Sequence, residues 1–182
     1  MDNQQVKATD LAYIGGFLDG EGHVSITYNK SYKYPRLHPV ICFTNTDLKV
    51  LDWICEKLED SGISYYRQTF KRQSPKHKDR HVVEVKRHHS VYRLAVLLIP
   101  YTILKTYQLA ILAEFTGGKI DQYNKGHRKA KLVEVDFEYE KLVKRLNQKG
   151  PKAESSEAIR QSSKLLQDMV HSYSESLGVF KA

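Results

Sequence analysis

The segment at residues 11–22, LAYIGGFLDGEG, constrains this chain more than any other stretch. Apolar residues recur in it at helical spacing and predict a helix with one buried side. Two features oppose that helix. A glycine inside a helix costs about 1 kcal/mol relative to alanine, and a carboxylate in the last turn faces the negative end of the helix dipole. The Gly15-Gly16 pair and the acids Asp19 and Glu21 therefore need a reason that lies outside the helix.

The small residues of this helix share one predicted face, at positions i, i+3, i+4 and i+7: Ala12, Gly15, Gly16 and Asp19. A face nearly without side chains lets another backbone approach closely. The neighbour is either another helix of this chain or a second copy related by a two-fold axis. We favour the second copy, because Glu21 would then meet its symmetry mate and a bound cation would offset the two charges. Mg²⁺ prefers one or two carboxylates together with phosphate oxygens and water.

Alternating polarity after this helix predicts two β-hairpins. We expect strands at 23–29, 37–44, 63–72 and 80–87, and helices from a cap at Thr9 or Asp10 to near Gly20–Gly22, from Asp47 to Gly62, from Ser90 to Leu98 and from about Lys105 to Phe115, with Gly117-Gly118 closing the region. The fold class is then α+β, with one antiparallel sheet that has a helix-backed face and an open polar face. Residues 1–182 are treated as one domain, with a core at about 8–118 and a C-terminal helical extension, without evident chemistry, at about 130–182.

The charge balance favours a polyanionic partner. Lys and Arg number 29 against 21 acids, which gives a net charge of +8, and such a surplus attracts nucleic acid, although many basic proteins simply carry solvated lysines. Residues 67–89 concentrate this charge, and a two-stranded ribbon is narrow enough to enter a DNA major groove. The candidate contact residues are Ser25, Thr27, Asn29, Lys30, Tyr32, Lys33, Arg36, His38, Cys42, Arg67, Thr69, Lys71, Arg80, Glu84 and Lys86, with the last six placed on the open face of the second hairpin.

Other classes of protein are disfavoured. No apolar run approaches the roughly 20 residues of a membrane span, and the polar N-terminus lacks a secretory signal. Cys42 and Cys55 form no CxxC pair and are expected to be reduced thiols. We expect an intracellular protein, in the cytoplasm of a prokaryote or in an organelle, with no membrane partner and no organic cofactor.

Residues 14–22, IGGFLDGEG, resemble the signature motif of the LAGLIDADG homing endonucleases. Asp19 matches the first acid of the motif, Gly20 the small residue, and Glu21 the second acid, where aspartate is commoner. The order αββαββα over roughly residues 8–115 is also that of the family. A single copy of the motif is typical of members that act as homodimers, whereas members with two copies are monomers.

The resemblance implies a saddle-shaped sheet and a divalent cation, Mg²⁺ or another such as Mn²⁺, bound by Glu21 with help from the Gly20 carbonyl. It implies that Asn45, at the end of the second strand, orders the attacking water. It also implies that Lys105 lies near the scissile phosphate. The implied function is intron homing by cleavage of both strands of double-stranded DNA, across the minor groove of a long, near-palindromic site.

Three alternatives remain open at this point. An RNA maturase of the same fold would assist intron splicing and would tolerate loss of Glu21. A DNA-binding regulator would keep the fold without cleavage, although it would need neither Glu21 nor Lys105. His88-His89 could also indicate a histidine–metal nuclease, but two adjacent histidines are more often solvated or phosphate-facing.

Overall fold

The computed structural model describes residues 6–30, 36–72, 74, 78–126, 132–148, 155–164 and 166–169. The helices are α1 (Ala8–Glu21), α2 (Leu48–Asp60), α3 (His88–Leu98), α4 (Thr106–Asn124), α5 (Glu134–Leu146) and α6 (Ser156–Ser162), and the strands are β1 (Gly22–Asn29), β2 (Arg36–Asn45), β3 (Tyr66–Phe70) and β4 (Arg80–Val85). A short 3₁₀ turn, Ile99–Tyr101, separates α3 from α4. The expected order αββαββα and the α+β class are confirmed.

The four strands form one antiparallel sheet in the order β1-β2-β4-β3. Ile41 lies opposite Val24 on β1, and Phe43 lies opposite Val83 on β4. All four side chains are buried, and they define the side of the sheet that the helices cover. The alternate residues point to the other side, which we call the open face. The predicted sheet with one covered and one polar face is therefore confirmed.

The C-terminal helices pack on this core through specific polar contacts. The amide Nδ2 of Asn147 donates to the backbone oxygen of Val24 at 2.7 Å, which satisfies a carbonyl on the edge strand β1. Lys119 on α4 and Asp136 on α5 form a buried ion pair at 2.5 Å. These contacts fasten α4 and α5 to the strand that follows α1.

Three helix boundaries differ from the sequence prediction, and the first is the start of α3, which lies at His88 rather than at Ser90. Helix α1 begins at Ala8 with Lys7 at the N-cap position, so a cap at Thr9 or Asp10 is wrong. Helix α4 does not end near Phe115 but continues through Gly117-Gly118 to Asn124. The buried ion pair of Lys119 lies beyond the glycines, so α4 has to continue through them to bring this side chain to Asp136. Among the described helices, none is both long and apolar enough to cross a lipid bilayer.

Candidate active site and nucleic-acid face

Glu21 is the last residue of α1, at a sharp junction between helix and strand. The next residue, Gly22, donates its backbone N–H to the Leu18 carbonyl oxygen and begins β1. A Cβ at position 22 would lie 2.7 Å from that oxygen, so the junction requires glycine. Glu21 is exposed, and no described residue is recorded in a hydrogen bond or ion pair with its carboxylate. The fold therefore presents this carboxylate to solvent beside the start of the sheet.

Asp19 has the opposite surroundings, although it lies only two residues earlier. One carboxylate oxygen accepts the backbone N–H groups of Ile103 at 2.6 Å and Leu104 at 3.1 Å. The other oxygen accepts the backbone N–H of Lys105 at 3.0 Å. The Nζ of Lys105 donates to the backbone oxygen of Asp19 at 2.5 Å. Asp19 thus satisfies the amides that precede α4, where a helix N-terminus favours a negative charge.

The two glycines of α1 face different neighbours. A Cβ added at Gly15 would overlap the carbonyl oxygen of Tyr101 and lie 2.9 Å from its carbonyl carbon, whereas a Cβ at Gly16 would meet nothing within 4 Å. The prediction that Gly15 and Asp19 lie on a dimer face is therefore wrong, because both contact the segment before α4 in their own chain. Ala12 and Gly16 are exposed, and their part in a dimer remains a prediction.

Asn45 and Lys105 approach the α1–β1 junction from two directions. Gly22 pairs with Phe43, so Asn45 lies two residues further along β2, at the end of the sheet where α1 ends. The Asn45 Oδ1 accepts the backbone N–H of Asp47 at 2.9 Å, which fixes the turn into α2. Lys105 reaches the same junction through the Asp19 carbonyl. The structure thus brings all three predicted catalytic residues to one region, and their roles remain predictions.

The oxygen atoms that this junction offers fit a cation whose remaining ligands come from outside the protein. Within the described part of the chain, no group of three or more His, Cys, Asp or Glu residues could hold a metal ion. Glu21 offers one exposed carboxylate, and the backbone at Gly20 is also exposed. Mg²⁺ commonly takes one or two protein carboxylates and completes its shell with phosphate oxygens and water. The junction therefore suits Mg²⁺ that is bound together with a phosphate-containing substrate.

The open face carries most of the predicted contact residues. In the first hairpin, Ser25, Thr27 and Asn29 alternate on β1 and pair with β2. In the second, Arg80 and Glu84 belong to the same face. The open-face residues from the predicted set are Ser25, Thr27, Asn29, Arg36, His38, Cys42, Arg80 and Glu84. Lys30 and Lys86 follow the ends of β1 and β4, Lys71 follows β3 and pairs with Asp79 at 2.7 Å, and Tyr32 and Lys33 lie outside the described residues.

The predicted face of β3 is wrong. Arg67 pairs with Val83, and Thr69 pairs with His81, so both belong to the helix-backed side of the sheet. The guanidinium of Arg67 forms an ion pair with Asp52 of α2, and the Thr69 hydroxyl lies 2.9 Å from the Nδ1 of His81. All five residues of β3 are exposed, so this short strand has no apolar alternation that could indicate which side faces the helices.

The same register reveals three open-face residues that the sequence prediction missed: Tyr66, Gln68 and Phe70. The guanidinium of Arg80 lies 4.5 Å from the ring centroid of Phe70, and the Lys86 ammonium lies 6.0 Å from that of Tyr66. Gln68 lies between these two cation–π pairs. The signal that could have identified them was the buried Val83 and Val85 of β4, whose pairing fixes the phase of β3.

Positive charge and partial burial set the protonation of this face. Burial lowers the pKa of His38 below its usual value, and the charges of Arg36 and Lys86 lower it further. The His38 ring is therefore mainly neutral at pH 7, so it can both donate and accept a hydrogen bond. Burial raises the pKa of the Cys42 thiol, which keeps it protonated.

A known family accounts for this combination of motif and sheet. Residues 8–97 match the family model of the LAGLIDADG-like domain. Among curated proteins, none matches the sequence significantly.

Solved structures of similar fold include DNA endonucleases of two sizes. The homing endonuclease I-CvuI, crystallised with the I-CreI target in the presence of Mg, is 16% identical with a TM-score of 0.60, and the match covers 87% of this chain and 95% of that one. The archaeal intron-encoded homing endonuclease I-Vdi141I, complexed with DNA, is 19% identical with a TM-score of 0.60, and the match covers 88% and 96%. The meganuclease I-SmaMI, bound to uncleavable DNA, is 16% identical with a TM-score of 0.55, and the match covers 78% of this chain but 45% of that one. At these identities the likeness establishes the fold.

Proposed function

We propose, since this chain belongs to the LAGLIDADG family through its residues 8–97, that it is a site-specific, metal-dependent DNA endonuclease that acts as a homodimer. The observation that carries this proposal is the exposed carboxylate of Glu21, located where α1 meets the open face of the sheet. An exposed carboxylate repels DNA phosphates unless a cation lies between them, so its position beside the open face supports a metal-dependent nuclease over a protein that only binds DNA.

Duplex DNA is the substrate that the open face suits best. Its polar and basic side chains offer donors for phosphates and both donors and acceptors for base edges. The chain's net charge of +8 favours binding to a polyanion. The structurally similar I-CvuI and I-Vdi141I are described in complex with DNA, which supports the same partner here.

Two observations support a homodimer: the extent of the structural matches and the exposed residues of α1. The chain spans nearly all of I-CvuI and I-Vdi141I but 45% of I-SmaMI, so two copies would match the larger architecture. Ala12 and Gly16 leave α1 bare on its solvent side. Nearby, Ile103 is 88% exposed and Leu104 is 65% exposed. Exposed apolar residues beside a bare helix favour burial against a second copy.

Two-fold symmetry determines how the proposed dimer would bind DNA. A symmetric dimer prefers a near-palindromic site, because each protomer contacts an equivalent half-site. Each protomer contributes one Glu21, so the two sites would cut the two strands. We place the cuts across the minor groove, with the open faces of both sheets in the flanking major grooves.

The residues at the junction have separate tasks in hydrolysis of a phosphodiester. A divalent cation held by Glu21, with help from the Gly20 carbonyl, would activate water and stabilise the leaving 3′ oxygen. A neutral amide is a poor base, so the Asn45 amide would orient the attacking water and would not accept its proton. The Lys105 ammonium would offset the negative charge that develops on the phosphate.

The test is cleavage of a randomised duplex library by the full-length protein with Mg²⁺, followed by sequencing of the cut ends. The expected result is one long, near-palindromic site cut on both strands at a fixed stagger, with no cutting in EDTA. A library that is bound selectively but stays uncut would contradict the nuclease and would favour a DNA-binding regulator. Specific binding to structured intron RNA without DNA cleavage would favour a maturase.

A further inference from the structure

We infer that Asp19 is a positioning residue for Lys105, and this inference rests on the proposed endonuclease function. Asp19 belongs to α1 and is not one of the open-face residues of the sheet. Its carboxylate instead accepts three consecutive backbone N–H groups, those of Ile103, Leu104 and Lys105, at 2.6, 3.1 and 3.0 Å. The residue that follows the third amide begins α4, so the carboxylate sets where that helix starts.

Lys105 is held both at its backbone and at the end of its side chain. Its backbone N–H donates to the Asp19 carboxylate, and its Nζ donates to the Asp19 backbone oxygen at 2.5 Å. That oxygen lies in α1, two residues before Glu21. The ammonium and the Glu21 carboxylate therefore depend on the same helical turn, and a shift of the segment before α4 would move one relative to the other.

A second contact on the same side of α1 supports this arrangement. Gly15 lies one helical turn before Asp19, and its Cα faces the Tyr101 backbone so closely that a Cβ would overlap the carbonyl oxygen. The segment from Tyr101 to Lys105 is thus fixed to α1 at both ends. Side chains three and four residues apart share a helix face, which makes Gly15 and Asp19 one continuous docking surface.

The chemistry explains why a carboxylate is needed here. Three N–H donors at a helix start are best satisfied here by an acceptor with two oxygens, and the helix dipole favours a negative charge at that point. In Asp19→Asn one oxygen becomes an NH₂ group, so at least one amide loses its acceptor and faces another donor. The backbone of Lys105 would then move, and a displacement of about 1 Å near reacting groups costs on the order of 100-fold in rate.

The experiment compares the wild type with Asp19→Asn, Lys105→Ala and the double variant, using the full-length protein on its selected DNA site. We expect Asp19→Asn to lower kcat on the order of 100-fold with KM for DNA unchanged, because the open face is untouched. In the Lys105→Ala background, Asp19→Asn should lower kcat no further. Amide hydrogen exchange, followed by NMR without DNA, should become faster at residues 103–105 in Asp19→Asn.

Ser155→Ala is the matched control, since the Ser155 Oγ also caps a helix by accepting the Ala158 N–H, at 3.1 Å. It should lower the thermal midpoint without changing kcat. Losses from Asp19→Asn and Lys105→Ala that multiply, or unchanged exchange at residues 103–105, would overturn the role of Asp19. A wild-type protein that cuts no library member would instead overturn the proposed function, so the two failures are distinguishable.

Discussion

Helix α1 and strand β3 each turn one side toward the rest of the chain and the other toward solvent. On α1, Gly15 and Asp19 contact the segment before α4, while Gly16 is exposed. On β3, Arg67 contacts α2, and Gln68 belongs to the open face. In both elements, residues that are adjacent or nearly adjacent in sequence have different partners. Substitutions at such neighbours therefore separate structural roles from functional ones.

Substitution of Glu21, the second of the two acids at the end of α1, is expected to have the largest effect on cleavage. Glu21→Gln keeps the size of the side chain but removes the charge that would bind a cation, so cleavage should fall at least about 100-fold. Folding and DNA binding should persist, because Glu21 is exposed and, among the described residues, its carboxylate has no hydrogen-bond or ion-pair partner. The measurements are single-turnover cleavage, circular dichroism and a DNA-binding titration. Normal cleavage by this variant would remove Glu21 from the catalytic site.

Gly16→Leu tests whether the exposed side of α1 meets a second copy. A leucine fits the monomer, since the space around Gly16 is open. It would obstruct a helix pressed against this face and should weaken dimerisation by about 2 kcal/mol or more, which is at least about 30-fold in Kd. Sedimentation velocity across a range of protein concentrations measures this change. A variant that sediments as the wild-type dimer would show that the copies meet elsewhere.

The adjacent glycines should also differ in their effect on folding. Gly15→Ala should destabilise the fold by about 1–3 kcal/mol, because its Cβ overlaps the Tyr101 carbonyl. Gly16→Ala is the matched control and should stabilise the monomer by up to about 1 kcal/mol, because alanine is the better helix former. Urea unfolding at several protein concentrations separates these changes from any change in dimer stability. Equal changes in the free energy of unfolding at both positions would contradict the different surroundings of Gly15 and Gly16.

Periodicity in the sequence predicted the elements but not always their neighbours. The order αββαββα, the open polar face of the first hairpin and the position of Glu21 at the end of α1 followed from apolar spacing and from the motif. The roles of Gly15 and Asp19 did not, because their partners lie more than 80 residues away at Tyr101 and Ile103. A helix face shows which residues lie together, and only tertiary contacts determine what they touch.

The prediction of which face β3 turns to solvent was wrong for a related reason. A period of two leaves two possible phases, and a buried side chain normally selects one of them. β3 is exposed along its whole length, so its own residues could not make that selection. Its phase is set by pairing with β4, whose Val83 and Val85 face the core. Short edge strands of this kind need their partner's pattern before their contacts can be assigned.

The smallest expected effect tests this phase on DNA. Gln68 lies on the open face between two cation–π pairs, and a glutamine that reads a base contributes about 1–3 kcal/mol of discrimination. Gln68→Ala should therefore relax specificity at one base pair of each half-site, in a cleavage profile over all single substitutions of the selected site. Arg67→Ala is the matched control. It removes an exposed ion pair with Asp52 and should leave the pattern of base preferences unchanged, apart from a uniform loss of affinity that grows weaker with salt. Relaxed specificity in Arg67→Ala with a normal profile in Gln68→Ala would place β3 in the opposite phase on DNA.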